Sequence, residues 1–96
     1  MRVNKIIKCS ANWCQPCRIL SPIFHKISEM DEFQNIDFYD LDIDDPDNNE
    51  IVMNYQIKNI PTILCLDENN EIVQKIVGAV PEHQLISMLK DALNHE

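Results

Sequence analysis

Two cysteines separated by two residues are the side chains in this sequence best suited to chemistry, in the run Trp13-Cys14-Gln15-Pro16-Cys17-Arg18. A thiolate is the nucleophile of disulfide exchange, and this spacing places the second sulfur one helical turn from the first. If a helix begins near Cys14, its unpaired backbone N–H groups and its dipole favour a thiolate there. Pro16 suits the first helical turn, and Trp13 offers an apolar flank for the sulfurs. The motif predicts thiol–disulfide chemistry.

Zinc binding is the alternative chemistry for such a pair, and it needs two further Cys or His ligands. The other two cysteines, Cys9 and Cys65, fall inside predicted strands, and the histidines are scattered at His25, His83 and His95. We therefore expect no metal. We interpret Cys9 and Cys65 as buried small hydrophobic residues, which is the usual role of single cysteines. They could lie on adjacent central strands, although a second disulfide would be unusual.

The elements that would position the pair follow from the apolar periodicity. Apolar and alternating runs predict four strands, at Val3–Ala11, Ile36–Ile43, Thr62–Leu66 and Glu71–Val77. Helical spacing predicts three helices, which begin near Cys14, after the Asp45-Pro46 turn and at Pro81.

The first helix carries Ile19, Leu20, Ile23, Phe24 and Ile27 at helical spacing, with Pro22 expected to kink it. The turn at residues 67–70 joins the last two strands as a hairpin. The order βαβαββα predicts an α/β fold with a four-stranded mixed sheet flanked by helices.

Length and composition limit the class of protein. The 96 residues fit one domain, residues 1–96, and no apolar run approaches the ~18 residues that cross a bilayer. We read no signal peptide at the start, so we expect a cytoplasmic protein without a membrane partner. The net charge of −8 disfavours nucleic acid. Acidic residues concentrate in residues 37–50, which we interpret as a solvated loop and helix start, with a docking patch as the alternative.

Several motifs together resemble the thioredoxin family, in its order and close to its spacing. They are the Trp13–Arg18 run, Pro22, the run Ile60-Pro61-Thr62, and Gly78-Ala79. The likeness extends from about Ile6 to Leu93 and implies the thioredoxin fold.

This resemblance also implies residue roles. Cys14 would attack and Cys17 would resolve, with Pro61 as a cis proline facing the pair. The backbone of Ile60 would hydrogen-bond an extended substrate segment, a form of strand addition. The substrate surface would comprise Trp13, Ile60, Pro61, Thr62, Gly78 and Ala79, with Gly78 allowing close approach.

The activity implied is that of a protein-disulfide reductase and electron carrier with no bound cofactor beyond the Cys14–Cys17 disulfide. Disulfide-containing proteins would be its substrates, and a flavin- and NADPH-dependent thioredoxin reductase would recharge it. A glutaredoxin-like enzyme recharged by glutathione is a second hypothesis, which Trp13 and the acidic balance argue against. A binding module that uses the fold as a scaffold is a third, and the intact cysteine pair argues against a purely structural role.

This chain departs from the family pattern in three places. It begins at the strand that leads to the active site, so it looks like a shortened form that lacks an N-terminal strand and helix. One sheet edge would then be less covered; we expect a monomer, with dimerisation along that edge as an alternative. Gln15 stands where the family usually has glycine, which leaves the redox potential open.

The third departure is a charge pair that looks exchanged. Lys8 stands where the family usually has a buried aspartate, and Asp40 where it usually has the partner lysine. Parallel neighbouring strands would bring the two side by side. An ammonium near the sulfurs stabilises thiolates, whereas a carboxylate does not. We therefore hypothesise that Lys8 tunes Cys14 and Cys17 and serves as a proton relay. The alternative is that Lys8 reaches solvent at the strand end and packs only its stem.

Overall fold

Four strands form one mixed sheet in the order β2-β1-β3-β4. The computed structural model describes residues 2–94, so the expectation for His95 lies outside the described residues. The strands are β1 (Val3–Ser10), β2 (Asp37–Asp42), β3 (Thr62–Asp67) and β4 (Ile72–Val77). The helices are α1 (Gln15–Ser28), α2 (Asn49–Asn54) and α3 (Glu82–Leu93), with short 3-10 turns at Asp31–Phe33 and Pro46–Asn48.

The sheet is parallel on one side of β1 and antiparallel on the other. Strand β1 pairs in parallel with β2, while β3 runs antiparallel to both β1 and β4. All six residues of β3 are buried, which agrees with the wholly apolar run Thr62–Leu66. This confirms the predicted order βαβαββα and the mixed four-stranded sheet. None of the helices within residues 2–94 is long and apolar enough to span a bilayer.

Apolar side chains pack on both faces of the sheet, because successive residues of a strand point to opposite faces. One cluster contains residues of α1 and α3 together with Ile6 and Cys65. The other contains Cys9 and Leu64, with Val52 of α2 packed against it. Cys9 and Cys65 therefore belong to opposite faces of the sheet, which keeps the two thiols apart.

Helix α1 buries one stripe made of Leu20, Phe24 and Ile27. Ile19 recurs at helical spacing with these residues but does not belong to the buried stripe, since 61% of it is exposed. Neighbouring helical residues point about 100° apart, which carries Ile19 beyond the stripe. The helix continues through Pro22, which lies on its exposed side. There, solvent can satisfy the carbonyl that the proline leaves without a donor.

Side-chain caps set several of the element ends. Asp45 accepts a hydrogen bond from the Asp47 N–H at 3.0 Å and caps the 3-10 turn that leads into α2. The Glu71 N–H donates to Asp67 Oδ1 at 3.1 Å, so Glu71 belongs to the hairpin turn and β4 begins one residue later than predicted. Pro81 precedes α3 as its N-cap residue instead of starting it.

Candidate active site

The Cys14–Cys17 disulfide lies at the N-terminus of α1, just after β1 ends. The Cys14 N–H donates to the Ala11 carbonyl at 3.1 Å, which closes the turn between strand and helix. Cys14 is the N-cap residue of α1, and its Sγ accepts a hydrogen bond from the Cys17 N–H at 3.3 Å. The two Cα atoms are 5.3 Å apart. An N–H aimed at Sγ together with the helix dipole favours a negative charge on Cys14 when the bond is reduced.

The disulfide is largely covered by protein. Cys14 is 5% exposed and Cys17 is 1% exposed, so Cys14 is the more accessible of the two. The pair clusters with buried Ala11, and the partly buried side chains of Ile43 and Ile60 pack against this cluster. An incoming sulfur therefore reaches Cys14 before Cys17.

The segment Ile60-Pro61-Thr62 lies beside this cluster. The Ile60–Pro61 peptide bond is cis, as the resemblance implied. The Thr62 hydroxyl donates to the carbonyl of Asn59, and the Gly78 N–H donates to the Pro61 carbonyl at 2.8 Å. Gly78 has a φ of +96°, a conformation that favours glycine, and a Cβ added there would meet nothing within 4 Å. Gly78 thus leaves open space beside Pro61.

Trp13 is well exposed, with 69% of the residue accessible to solvent. Its Nε1 donates to Asp44 Oδ2 at 2.7 Å, which fixes the direction of the indole. Asp44 was not predicted as a site residue. A usable signal existed, because Trp13 follows β1, Asp44 follows β2, and parallel strands end at the same edge of a sheet.

Lys8 and Asp40 lie directly opposite each other on the parallel strands β1 and β2. Lys8 Nζ is 2.7 Å from Asp40 Oδ1, and the two side chains are 4% and 69% exposed respectively. The interpretation that Lys8 reaches solvent is therefore wrong, since the lysine stays buried and the carboxylate alone faces water. Nζ also lies 5.8 Å from the centre of the Phe24 ring, a distance typical of a cation–π contact.

A hydrogen-bonded chain connects Lys8 with the cysteine pair. Lys8 Nζ donates to Ser21 Oγ at 2.6 Å, and Ser21 Oγ donates to the Cys17 carbonyl at 3.1 Å. Ser21 was not predicted as a site residue. The signal for it is its place four residues after Cys17, one helical turn on, where a serine hydroxyl often bonds the earlier carbonyl.

An open pocket of about 360 Å³ adjoins the inner cysteine. It is lined by Ser10, Ala11, Asn12, Cys17, Arg18 and Ser21. Polar side chains from β1 and α1 therefore surround a route by which water reaches the region around Cys17.

The remaining predicted residues lie at the rim of the site. Gln15 and Pro16 are exposed on the first turn of α1, and Ala79 is exposed directly after Gly78. The structure does not place the Gln15 side chain in a hydrogen bond within residues 2–94 that would explain its presence in the motif.

The two other cysteines differ from the active pair in their surroundings. Burial raises the pKa of Cys9 to about 11, against a smaller lowering effect of Lys75. Burial also raises the pKa of Cys65 to about 12. Both groups are therefore protonated, unreactive thiols at neutral pH. Across residues 2–94, no three Cys, His, Asp or Glu side chains group together in a way that would hold a metal ion.

Comparison with known proteins identifies the family. The sequence model of the family described as Thioredoxin matches residues 2–91. The chain belongs to the thioredoxin family. It is 36% identical over 76 residues to thioredoxin Asp f 29 of Aspergillus fumigatus, which covers 79% of this chain and 66% of that protein. It is 33% identical over 85 residues to the thioredoxin of Mycoplasmoides gallisepticum, which covers 88% of this chain and 80% of that protein.

A solved thioredoxin structure agrees with the fold. The Malassezia sympodialis thioredoxin, Mala s 13, superimposes with a TM-score of 0.81 at 27% identity, covering 92% of this chain and 73% of that one. The thioredoxin fold and the Cys14–Cys17 disulfide together support thiol–disulfide oxidoreductase chemistry at this site.

Proposed function

We propose that the protein is a thioredoxin-like protein-disulfide reductase and electron carrier. The observation that carries the proposal is the Cys14–Cys17 disulfide at the N-terminus of α1, beside cis-Pro61. Such a position favours a thiolate on the outer cysteine and leaves an open surface for a second polypeptide.

The reaction proceeds in two exchanges. The Cys14 thiolate attacks one sulfur of a target disulfide, which forms a Cys14–target disulfide and releases the other target sulfur as a thiolate that takes a proton from water. Cys17 loses its proton, and its thiolate attacks Cys14 Sγ. This forms the Cys14–Cys17 disulfide and releases the second target thiol. Two electrons pass from the cysteine pair to the target.

The target segment binds in an extended conformation across the rim of the site. The main chain of Ile60 pairs with it, while Gly78 and Ala79 leave room for its approach and Trp13 covers its apolar side chains. The open space beside Gly78 supports this role. The hydrogen bonds from the Thr62 hydroxyl to Asn59 and from the Gly78 N–H to Pro61 hold the Ile60–Thr62 segment in place for this pairing.

A flavin- and NADPH-dependent thioredoxin reductase returns the electrons, and the cycle operates in the cytoplasm without a resident cofactor. The family supports this donor, since a thioredoxin reductase is its usual partner. Glutathione is the competing electron donor. The ability to use it distinguishes a glutaredoxin-like enzyme from the proposed thioredoxin-like protein-disulfide reductase.

The decisive experiment measures insulin-disulfide reduction with a thioredoxin reductase and NADPH, and separately with glutathione. We expect turnover with the first system and a rate at background level with the second. The Cys14→Ser, Cys17→Ser double variant should be inactive, while Cys65→Ala keeps the activity because that thiol lies in the core. Full activity of the double variant in a biological assay would favour a scaffold role.

We propose further that Lys8 is a positioning residue that lowers the free-energy cost of forming the Cys17 thiolate. The chain from Nζ through Ser21 to the Cys17 carbonyl places a buried ammonium behind the resolving cysteine. Asp40 partly offsets its charge, but that carboxylate faces water, which screens it. The Cys17 proton leaves to water in the adjoining pocket. The Cys17 proton thus goes to water and is not relayed through a buried carboxylate, the residue type that the family usually has at the position of Lys8.

Release of a chromophoric thiol tests this role directly. Reduced protein treated with the symmetric disulfide of 5-thio-2-nitrobenzoate forms a mixed disulfide at Cys14 and releases one dye thiolate; attack by Cys17 on Cys14 Sγ then releases the second, whose rate is the one measured. A net contribution of about 1 kcal/mol from the ammonium predicts a roughly fivefold slower release in Lys8→Met at neutral pH. The pH profile of this variant should shift upward. Lys8→Arg should restore the rate, since it keeps the charge; equal profiles for all three proteins would refute the role.

A further inference from the structure

Within residues 2–94, β2 pairs only with β1, so its outer side is an open edge of the described sheet. Alternate residues of an edge strand direct their backbone N–H and C=O groups away from the sheet. Residues 37–42 therefore offer a short row of main-chain donors and acceptors to another extended chain.

An apolar pocket adjoins this edge on the face covered by α2. It has a volume of about 310 Å³ and is lined by Ile7, Tyr39, Asp40, Leu41, Asn48 and Ile51. Tyr39 is 48% exposed and Ile51 is 37% exposed, because the six residues of α2 cover this face only in part. Apolar side chains on one face of an added strand would lie against Tyr39 and extend the core there.

The opposite face of the same strand is acidic. Asp40 shares a face with Phe38, which packs into the cluster beneath α1, and Asp42 follows on that face. The segment from residue 37 to residue 50 contains seven acidic residues and no basic ones. A second copy pairing through β2 would bring aspartates close to aspartates, whereas a basic strand would pair with them. These negative charges therefore disfavour self-association through the β2 edge and favour binding of a basic partner.

We propose that the outer edge of β2 binds an extended segment of a partner protein in which apolar and basic residues alternate. The main chain pairs with β2, the apolar residues cover Tyr39 and Ile51, and the basic residues face Asp40 and Asp42. This surface lies on another part of the molecule from the Ile60–Thr62 segment. The proposed binding is a function additional to thiol–disulfide exchange, and the proposal does not rest on the reductase activity.

Synthetic peptides test the proposal with the oxidised 96-residue protein. The probe is an eight-residue peptide of alternating lysine and valine, and its binding is followed by backbone amide shifts in NMR titrations. We expect shifts at residues 37–42 and a binding constant that weakens with added salt. A peptide of the same composition with the lysines and valines in separate blocks should bind at least tenfold more weakly. An alternating glutamate–valine peptide should not bind.

Main-chain pairing is tested with two isomers of the probe, each N-methylated at alternate residues. One of them should bind at least tenfold more weakly, because its methyl groups replace the donors that face β2. If both isomers bind equally well, or if the peptide with lysines and valines in separate blocks binds as tightly as the alternating one, the binding reflects general charge attraction. Either result would overturn the proposal. Shifts centred on Trp13 and Gly78 would assign the peptide to the substrate surface and overturn it too.

Matched variants at the two edges of the sheet complete the test. Tyr39→Lys should lower the affinity at least tenfold, while Ile72→Lys on β4, a residue 42% exposed, should change it less than twofold. Both variants should reduce insulin within twofold of the parent rate, so a failure here is distinguishable from a failure of the reductase proposal. Sedimentation should show a monomer, and a dimer that Tyr39→Lys dissociates would show that the edge serves self-association instead.

Discussion

Removing either partner of the Lys8–Asp40 pair should have very unequal effects on stability. The lysine side chain is 4% exposed and the carboxylate is 69% exposed. Asp40→Asn leaves a buried ammonium without its counter-charge, whereas Lys8→Met leaves a carboxylate that water already solvates. We therefore expect the first change to be destabilising and the second to be close to neutral.

The size of the difference follows from the burial. Removing one partner of a buried pair costs about 3–5 kcal/mol. Because Asp40 faces water and Ser21 still accepts from Nζ, we take the low end and expect about 3 kcal/mol for Asp40→Asn. For Lys8→Met we expect a change within about 1 kcal/mol of zero, of either sign.

Urea unfolding of the oxidised proteins measures both values, with the slope of each transition checked for two-state behaviour. An Asp40→Asn penalty no larger than that of Lys8→Met would refute the view that Lys8 is a buried cation held by Asp40.

Three further predictions concern other parts of the molecule. Burial raises the pKa of Cys9 to about 11 and that of Cys65 to about 12, so a maleimide at pH 7 should label no thiol of the folded oxidised protein and two after unfolding. Gly78→Ala should cost about 1–2 kcal/mol in urea unfolding, through backbone conformation alone because a Cβ meets no neighbour; an unchanged midpoint would contradict this. Asp44→Ala should free the indole of Trp13, raising KM for insulin more than it lowers kcat; equal KM values would show that the bond does not position the ring.

The sequence predicted the order of strands and helices along the chain and the position of the cysteine pair, because both depend on local patterns. Apolar runs mark the strands, and the junction of a strand with a helix is where the Cys14 thiolate is favoured. The placement of Lys8 opposite Asp40 followed from the resemblance to the thioredoxin family, which usually has an oppositely charged pair at these two positions.

The sequence did not predict how unequally this pair is exposed. Lys8 lies on an interior strand under α1, while Asp40 lies on an edge strand, and that difference arises from the arrangement of the whole sheet. Ser21 was missed for a related reason. Its hydroxyl has an ordinary role in bonding the Cys17 carbonyl, and only the packed position of Lys8 shows that it also accepts from the ammonium.

Asp40 belongs to two surfaces at once, since it holds Lys8 on the inner side of β2 and faces solvent at the strand edge. A basic side chain that docks at the edge competes with Lys8 for this carboxylate and so changes the electric field behind Cys17. Thermodynamic reciprocity then requires that the oxidised and reduced proteins bind such a partner with different affinities. The ratio of the two affinities equals the factor by which the partner shifts the redox equilibrium, so an edge-bound protein would report the thiol state of the pair without contacting either sulfur.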